Sequence, residues 1–405
     1  KMFTENFFTI LLDLGEEWEV KLVESNVNTG EVFIHVKCIS NEFEDPQTGE
    51  RCRLYDHAPE RKWRHLDTMQ YKTYISCRLP RIKTSSGKVK TVQPAWASAH
   101  ERHTYLFEHA VIDLLKASKN QTKTAELMRC SFSVVNRIIH LSTERGMMRR
   151  DVSEMGFAHL SIDEKSFRKG HHYITVLSHP GTGTILEVEE HRTKQSCKLL
   201  LNKSLTEDQL AQVTTISMDM WTAFINTSKE MLPNAEIVHD RFHLIKYFND
   251  AIDKVRRREV KQHEELKESR YALLKNQANL TEKQRLKFEA IRGANYEVSK
   301  AWQIRENFKD LFSSDIASGF ILYKRWVRDS LGKQVKEMTK VIDMFNNHMR
   351  GVINALTTNL SNAMAERLNG KIQEIKTVAR GYRTFKNFRS AVLFFHGGLD
   401  LYPLK

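Results

Sequence analysis

The sequence predicts a mixed α/β core that is interrupted by a long all-helical stretch and preceded by a β-rich head and a small helical domain. Three observations predict it. Residues 157–245 alternate short apolar strands with amphipathic helices. Residues 242–355 keep a helical apolar period and show no strand pattern. Residues 1–97 alternate apolar and polar side chains, as half-buried strands do. A chain of 405 residues has room for two or three domains of about 100–200 residues each.

Composition narrows the class. Hydrophobic residues at 40% and aromatics at 9% exclude a disordered chain. With Gly 17 and Pro 7, collagen-like and low-complexity classes are excluded too. No apolar run reaches the length of about 18 residues that a membrane span needs. The first residues lack the basic start and apolar run of a secretory signal, and five cysteines are an odd number; both point to a reducing cytoplasm. The net charge is +13, unevenly spread: residues 1–60 carry −8 and residues 78–150 carry +9. A basic middle and C-terminal region suits a polyanion such as nucleic acid, although solubilising surface charge explains it equally well.

Each region is justified in turn. In 1–97, Trp18–Val23 and Glu31–Val36 read as strands joined by an Asn28-Thr29-Gly30 turn, with further strands over 70–81 and 88–92. Cys38, Cys52 and Cys77 fall in this head and are its candidate zinc ligands. Close Cys-x-x-Cys pairs are missing, which favours buried free thiols over zinc. Residues 98–150 form the next domain. Phe107, Val111, Leu114 and Leu115 make one helical stripe, Thr122–Met128 a short helix, and Phe132, Val135, Ile138 and Ile139 a third. Arg129-Cys130-Ser131 is a short turn between the last two, so the pattern is helix-turn-helix with Asn136 and Arg137 on the outer face as candidate DNA contacts.

In 157–245, strands at 159–162, 173–177 and 184–188 precede a helix at 195–205, a strand at 213–218, a helix at 221–231 and a strand at 235–238. The helical stretch 246–355 follows, carrying a basic run at Arg256, Arg257 and Arg258; Trp302 and Trp326 within it read as core residues before base-stacking ones. Residues 356–405 return to the core with a helix over 359–379.

Three hairpin strands, a helix, a strand, a helix and a strand is the order of an RNase H-like fold. In that order the first and fourth strands pair at the sheet centre, so Asp163 and Asp219, at their ends, lie side by side. Glu366 is the candidate third acid. Asn362, Glu366 and Asn369 stand at i, i+4 and i+7 on one helix face, while Met364, Leu368, Ile372 and Ile375 make the apolar face. Clustered carboxylates repel unless a cation sits among them, and magnesium or manganese prefers such hard oxygen ligands. Two ions about 4 Å apart would stabilise both oxygens of a phosphodiester exchange. A lone Asp at a strand end is usually a surface or capping residue; two at matching ends are a stronger signal.

Several motifs then carry a resemblance. Ile162-Asp163-Glu164, Arg168-Lys169-Gly170, Ser217–Trp221 and the run from Pro233 to His243 resemble the DDE transposases of bacterial insertion sequences of the ISL3 family. Ser361-Asn362, Glu366, Asn369, Lys371, Ile375-Lys376 and Gly381-Tyr382-Arg383 fit as well, and so do Trp63–Asp67, Leu79-Pro80-Arg81 and Pro94–Ala97 in the head. The resemblance covers nearly the whole chain. It implies an RNase H-like catalytic domain with a helical insertion, binding to the terminal inverted repeats of an element, metal-dependent cleavage and joining to target DNA. It also implies a bacterial, nucleoid-associated protein that acts as at least a homodimer on double-stranded DNA. Asp163, Asp219 and Glu366 become the triad, 56 and 147 residues apart. Asp240, which also ends a strand, is either a supporting acid or the true second acid, and His243 is a supporting group beside it. Lys371, Lys376, Arg380 and Arg383 are candidate phosphate contacts. The family's head often binds zinc, yet Thr84 stands here in a segment where a cysteine is expected. The rival readings are a sequence-specific DNA-binding protein and an RNase H-like nuclease without strand transfer.

Overall fold

The computed structural model describes residues 2–151, 156–168, 172–312, 315–358 and 363–404. They divide into two compact units, one of 1–150, 375–395 and 399–405, the other of 151–374 and 396–398.

The first unit opens with a helix, Met2–Leu12, and eight strands: β1 Trp18–Asn26, β2 Glu31–Cys38, β3 Glu42–Glu44, β4 Arg51–His57, β5 Arg61–Arg64, β6 Lys72–Cys77, β7 Pro80–Lys83 and β8 Val89–Thr91. They form two four-stranded sheets, ordered β1-β2-β6-β5 and β3-β4-β7-β8. The larger core gathers Trp18, Ile34, Trp63, Ile75 and Trp96, with the Trp63 and Trp96 rings edge to face at 5.5 Å. The second sheet has a thin core of Phe43, Cys52 and Ile82.

Three helices follow, Tyr105–Ser118, Gln121–Leu127 and Phe132–Arg149. Thr104 and Asn120 cap the first two by accepting the amides of Phe107 and Lys123. Arg129, at φ +53, makes the turn into the third. Their shared core of Phe107, Val111, Ile112, Leu115, Val135, Ile138 and Ile139 also takes in Phe394 and Leu401. The last part of the chain therefore packs on this helical domain, whereas the sequence assigns all of 356–405 to the catalytic core. Gly146 permits that packing, since a Cβ there would stand 2.7 Å from the Leu399 Cβ.

The second unit contains a five-stranded sheet of β9 His159–Arg168, β10 His172–His179, β11 Thr184–Glu190, β12 Thr215–Met218 and β13 Glu236–His239. Its order is β11-β10-β9-β12-β13. β9, β10 and β11 are antiparallel neighbours, while β12 runs parallel to both β9 and β13. Leu160, Ile162, Ile216 and Met218 share one apolar core with Leu200, Leu201 and Phe224 from the helices Lys194–Ser204 and Thr222–Met231. From Arg241 to Thr357 the described residues contain helices and no strand. Their core is aromatic: Phe248, Phe308, Trp326 and Phe345 meet at centroid distances of 4.9–5.9 Å. Trp302 is buried against Phe288, and Trp326 donates its indole N–H to Ile304 O at 3.0 Å, so both are core residues. On the Arg241–Glu259 helix the buried stripe is Leu244, Phe248, Ile252 and Val255; Phe242, which the periodicity places on that stripe, is exposed.

Candidate active site

The site begins with strand register. β12 pairs with β9 as Thr215 with His159, Ile216 with Leu160 and Ser217 with Ser161. Two residues further along, the same register sets Asp219 beside Asp163. β12 pairs with β13 up to Met218 with His239, and the Asp240 amide donates to Met218 O at 3.0 Å. Asp240 is thus next in the row. Asp219 and Asp240 directly follow the last residues of β12 and β13, whereas Asp163 lies within β9, which continues to Arg168 and does not end at Ile162 as the sequence predicts. The three strands are adjacent, with axes about 4.8 Å apart. Leu160, Ile162, Ile216 and Met218 face the helical core, so strand alternation turns Asp163 to the opposite face.

The Arg241–Glu259 helix stands near that face. Its Tyr247 hydroxyl donates to Asp219 Oδ1 at 3.1 Å and reaches Oδ2 at 3.4 Å. Asp219 Oδ1 also accepts the Met220 amide at 2.6 Å. Asp240 is the N-cap of this helix: Oδ1 accepts the Phe242 amide at 2.8 Å, and Oδ2 lies 3.2 Å from His243 Nδ1. Burial pushes the His243 imidazole down, but the Asp240 contact and the negative fields of Asp219, Asp240 and Asp163 outweigh it, and the net shift is upward. Burial and the Asp219 carboxylate together push the Tyr247 phenol well up, so it stays a donor. Lys165 Nζ sits 3.1 Å from Asp163 Oδ2.

A second group flanks these acids. The Arg192 guanidinium lies 4.3 Å from the Tyr173 ring and 4.2 Å from the Trp221 ring, and pairs with Glu164 Oε2 at 2.9 Å. The Trp221 indole N–H donates to Arg192 O at 2.9 Å. This arrangement ties down the turn that follows Asp219. The sequence alone singles out neither Tyr247 nor Arg192. For Tyr247 a signal exists, since it follows His243 at i+4 and shares its helix face.

The remaining predicted residues are spread widely. Glu366 lies on the Ala363–Val378 helix, whose Leu368, Ile372 and Ile375 are buried as the periodicity predicts. The side chains of Glu366 and Asn369, and the whole of Asn362, lie outside the described residues. Arg256 and Arg257 both pair with Asp253, and Arg258 bridges Glu297 and Glu337. Of this basic run, expected to meet DNA, Arg256 and Arg257 pair within their own helix and Arg258 links it to two others. Arg137 is exposed on its helix but forms a two-point pair with Glu101, at 2.7 and 2.9 Å. Asn136 is half-buried, as are Lys371 and Lys376, whereas Arg380 and Arg383 are exposed.

Two acids of the row carry the kind of oxygen ligand that a divalent cation takes. Asp163 on β9 and Asp219 just after β12 offer hard oxygens on neighbouring strands. Among the described residues no three His, Cys, Asp or Glu side chains are grouped closely enough to hold an ion, so a further ligand from outside them is needed. Zinc fits the head poorly. Cys77 lies in the core of the larger sheet, Cys52 in that of the smaller, and Cys38 borders both. The three thiols are thus divided between two cores, and burial pushes that of Cys77 up to about 12 and raises those of Cys38 and Cys52.

Comparison with known proteins places the chain in a family. Residues 160–392 match a DDE family model described as a transposase of the ISL3 type. Residues 92–142 match the helix-turn-helix domain of transposase family ISL3. Residues 42–83 match the zinc-finger of transposase IS204/IS1001/IS1096/IS1165. The transposase for insertion sequence element IS1557 of Mycobacterium tuberculosis is 27% identical over 83% of this chain and 82% of its own. That for IS1001 of Bordetella parapertussis is 24% identical over 84% of this chain and 86% of its own. A pre-cleavage Mos1 transpososome aligns at 11% identity and a TM-score of 0.18 over 54% of this chain and 82% of that one, too slight a likeness to bear on the fold. With a model of the family spanning more than half of its length, the chain belongs to the ISL3 family of insertion-sequence transposases.

Proposed function

We propose that Asp163, Asp219 and Glu366 are the catalytic acids of this DNA transposase. They would sit on an RNase H-like core built from residues 157–245 and completed by the Ala363–Val378 helix, with 246–355 as an all-helical insertion. The observation that carries this reading is the register that sets Asp219 beside Asp163 at the centre of the sheet. These three residues would hold magnesium or manganese ions, which when bound supply Lewis-acid activation of the phosphodiester and of water.

The chain's own groups keep the site in order. The Tyr247 hydroxyl and the Met220 amide both donate to Asp219 Oδ1 and hold that carboxylate in place. Asp240 spends its two oxygens on the helix cap and on His243, which supports a positioning role for it. That division favours Asp219 over Asp240 as the second acid. Arg241 donates to Ala355 O and Thr358 O and so belongs to the scaffold. Asn362 and Asn369 would flank Glu366, and the exposed Arg380 and Arg383 would meet phosphates.

The helix-turn-helix domain binds DNA, and we assign it the terminal inverted repeats. Bringing two ends together calls for at least a homodimer on DNA. The test is a labelled duplex bearing the element's terminal repeat, mixed with target plasmid and magnesium. Cleaved ends joined to plasmid are expected, and both products vanish with Glu366→Gln. Cleavage without joining would leave a nuclease; binding without cleavage would leave a DNA-binding protein.

A further inference from the structure

The small sheet of the head matches a zinc-finger model, yet its donors do not suit zinc. It still needs a cross-link. Four strands of three to seven residues over a core of Phe43, Cys52 and Ile82 bury too little to hold themselves together. In a zinc finger the metal supplies that cross-link.

Here two turns lie at one end of the sheet, Asp45–Gly49 between β3 and β4, and Thr84–Gly87 between β7 and β8. Each ends on a glycine at positive φ, +69 at Gly49 and +80 at Gly87, where a side chain would be strained. Asp45 is fully buried. Its Oδ1 accepts the Gln47 amide at 3.1 Å and its Oδ2 the Thr48 hydroxyl at 3.1 Å. Into this turn reaches Lys90, from β8 on the far edge of the sheet. Its ammonium donates to Asp45 Oδ2 at 2.6 Å and to Gln47 Oε1 at 2.9 Å. Glu50 completes the link between the turns by accepting the Ser85 amide at 2.8 Å and hydroxyl at 3.1 Å. The acceptors around Lys90 Nζ are oxygens in hydrogen-bonding positions. That set suits an ammonium, not an ion that takes sulfur and imidazole.

We propose that the two-hairpin module of residues 42–91 is metal-free, and that the Lys90 ammonium, clasped by Asp45 and Gln47, ties its turns together as zinc does in a zinc finger. The module should then be indifferent to chelators. The Lys90 bond holds the Asp45 carboxyl below its usual range, so this link is present above that range and fails as the carboxyl protonates in acid.

The test uses the full chain purified from zinc-supplemented medium. Elemental analysis should find far less than one zinc per chain. Amide exchange over 42–91 should be unchanged by a strong zinc chelator, with no magnesium present. Asp45→Asn and Lys90→Met should each speed that exchange about tenfold, the size expected for losing a hydrogen bond to a charged group. The double variant should be no worse than either single one. One bound zinc per chain, or a module that loosens with chelator, overturns the proposal without needing any variant. So does additivity of the two substitutions, or their lack of effect. Cleavage is not the readout, so a failure here leaves the assignment of the catalytic acids standing.

Discussion

Tyr247 separates holding an acid from being one. Its hydroxyl donates to the Asp219 carboxylate. Tyr247→Phe removes the bond and keeps the ring packed near Phe345. Loss of such a partner of a metal-binding carboxylate typically costs about 10–100-fold in metal affinity or activity. The expected result is a higher magnesium requirement for cleavage with DNA binding unchanged, read from a magnesium titration of cleavage beside a binding assay. Asp163 and Asp219 are legible in the sequence because each follows an apolar run; Asp219 does end its strand, but β9 runs on past Asp163 to Arg168, which the polar residues after Ile162 hide. Tyr247 and Arg192 are less so, since each acts on residues 28 positions away and their partners become visible only once the chain is folded. The dense motif around Asp240 reads in the sequence as catalytic or supporting. Its density has a structural cause: a cap, a tie to two carbonyls and a paired histidine fall within four residues.

Among elements, the helix-turn-helix domain is held by a buried ionic group. Glu108 is almost fully buried, with Arg145 at 2.7 Å and His103 at 3.3 Å. Burial pushes its carboxyl up, the bonds from His103 and Arg145 pull it down, and the net shift is downward. A carboxyl whose folded pKa is lowered adds stability that is full above its usual 4.5 and is lost as pH falls through the lower folded value. Glu108→Gln should therefore cost about 3 kcal/mol at neutral pH and progressively less in acid, read from denaturant melts across that range. The three helices are legible from their apolar stripes and the short turn between the last two. In the head, β4 and β5 are not: Arg51, Arg53, Asp56, Arg61 and Arg64 crowd strands whose apolar content is little more than Cys52, Leu54 and Trp63. The packing of Phe394 and Leu401 on the helical domain is equally hidden, because an apolar stripe does not say which core it joins.

For the whole molecule, charge is the property that sequence and structure divide between them. The net +13 suits a polyanion and a solubilised surface equally, and the chain's membership of a DNA-transposing family favours the first. Arg256, Arg257 and Arg258 are paired with acids of the same unit, which would compete with phosphates for them. Exchange of those three for glutamine should leave the salt slope of DNA binding nearly unchanged. The same exchange of Arg380 and Arg383 should flatten it by roughly one for each phosphate no longer neutralised. Filter binding from about 50 to 200 mM salt distinguishes the two sets. No described helix is long and apolar enough to cross a membrane. The central claim is that Asp219, beside Asp163, is the second catalytic acid. Cleavage of the labelled terminal repeat with magnesium tests it, comparing wild type, Asp219→Asn and Asp240→Asn. Asparagine still caps a helix, so Asp240→Asn should fold and cut. Asp219→Asn is expected to bind the end and cut nothing while Asp240→Asn keeps cutting. Cleavage that survives in Asp219→Asn and is lost in Asp240→Asn would contradict the claim.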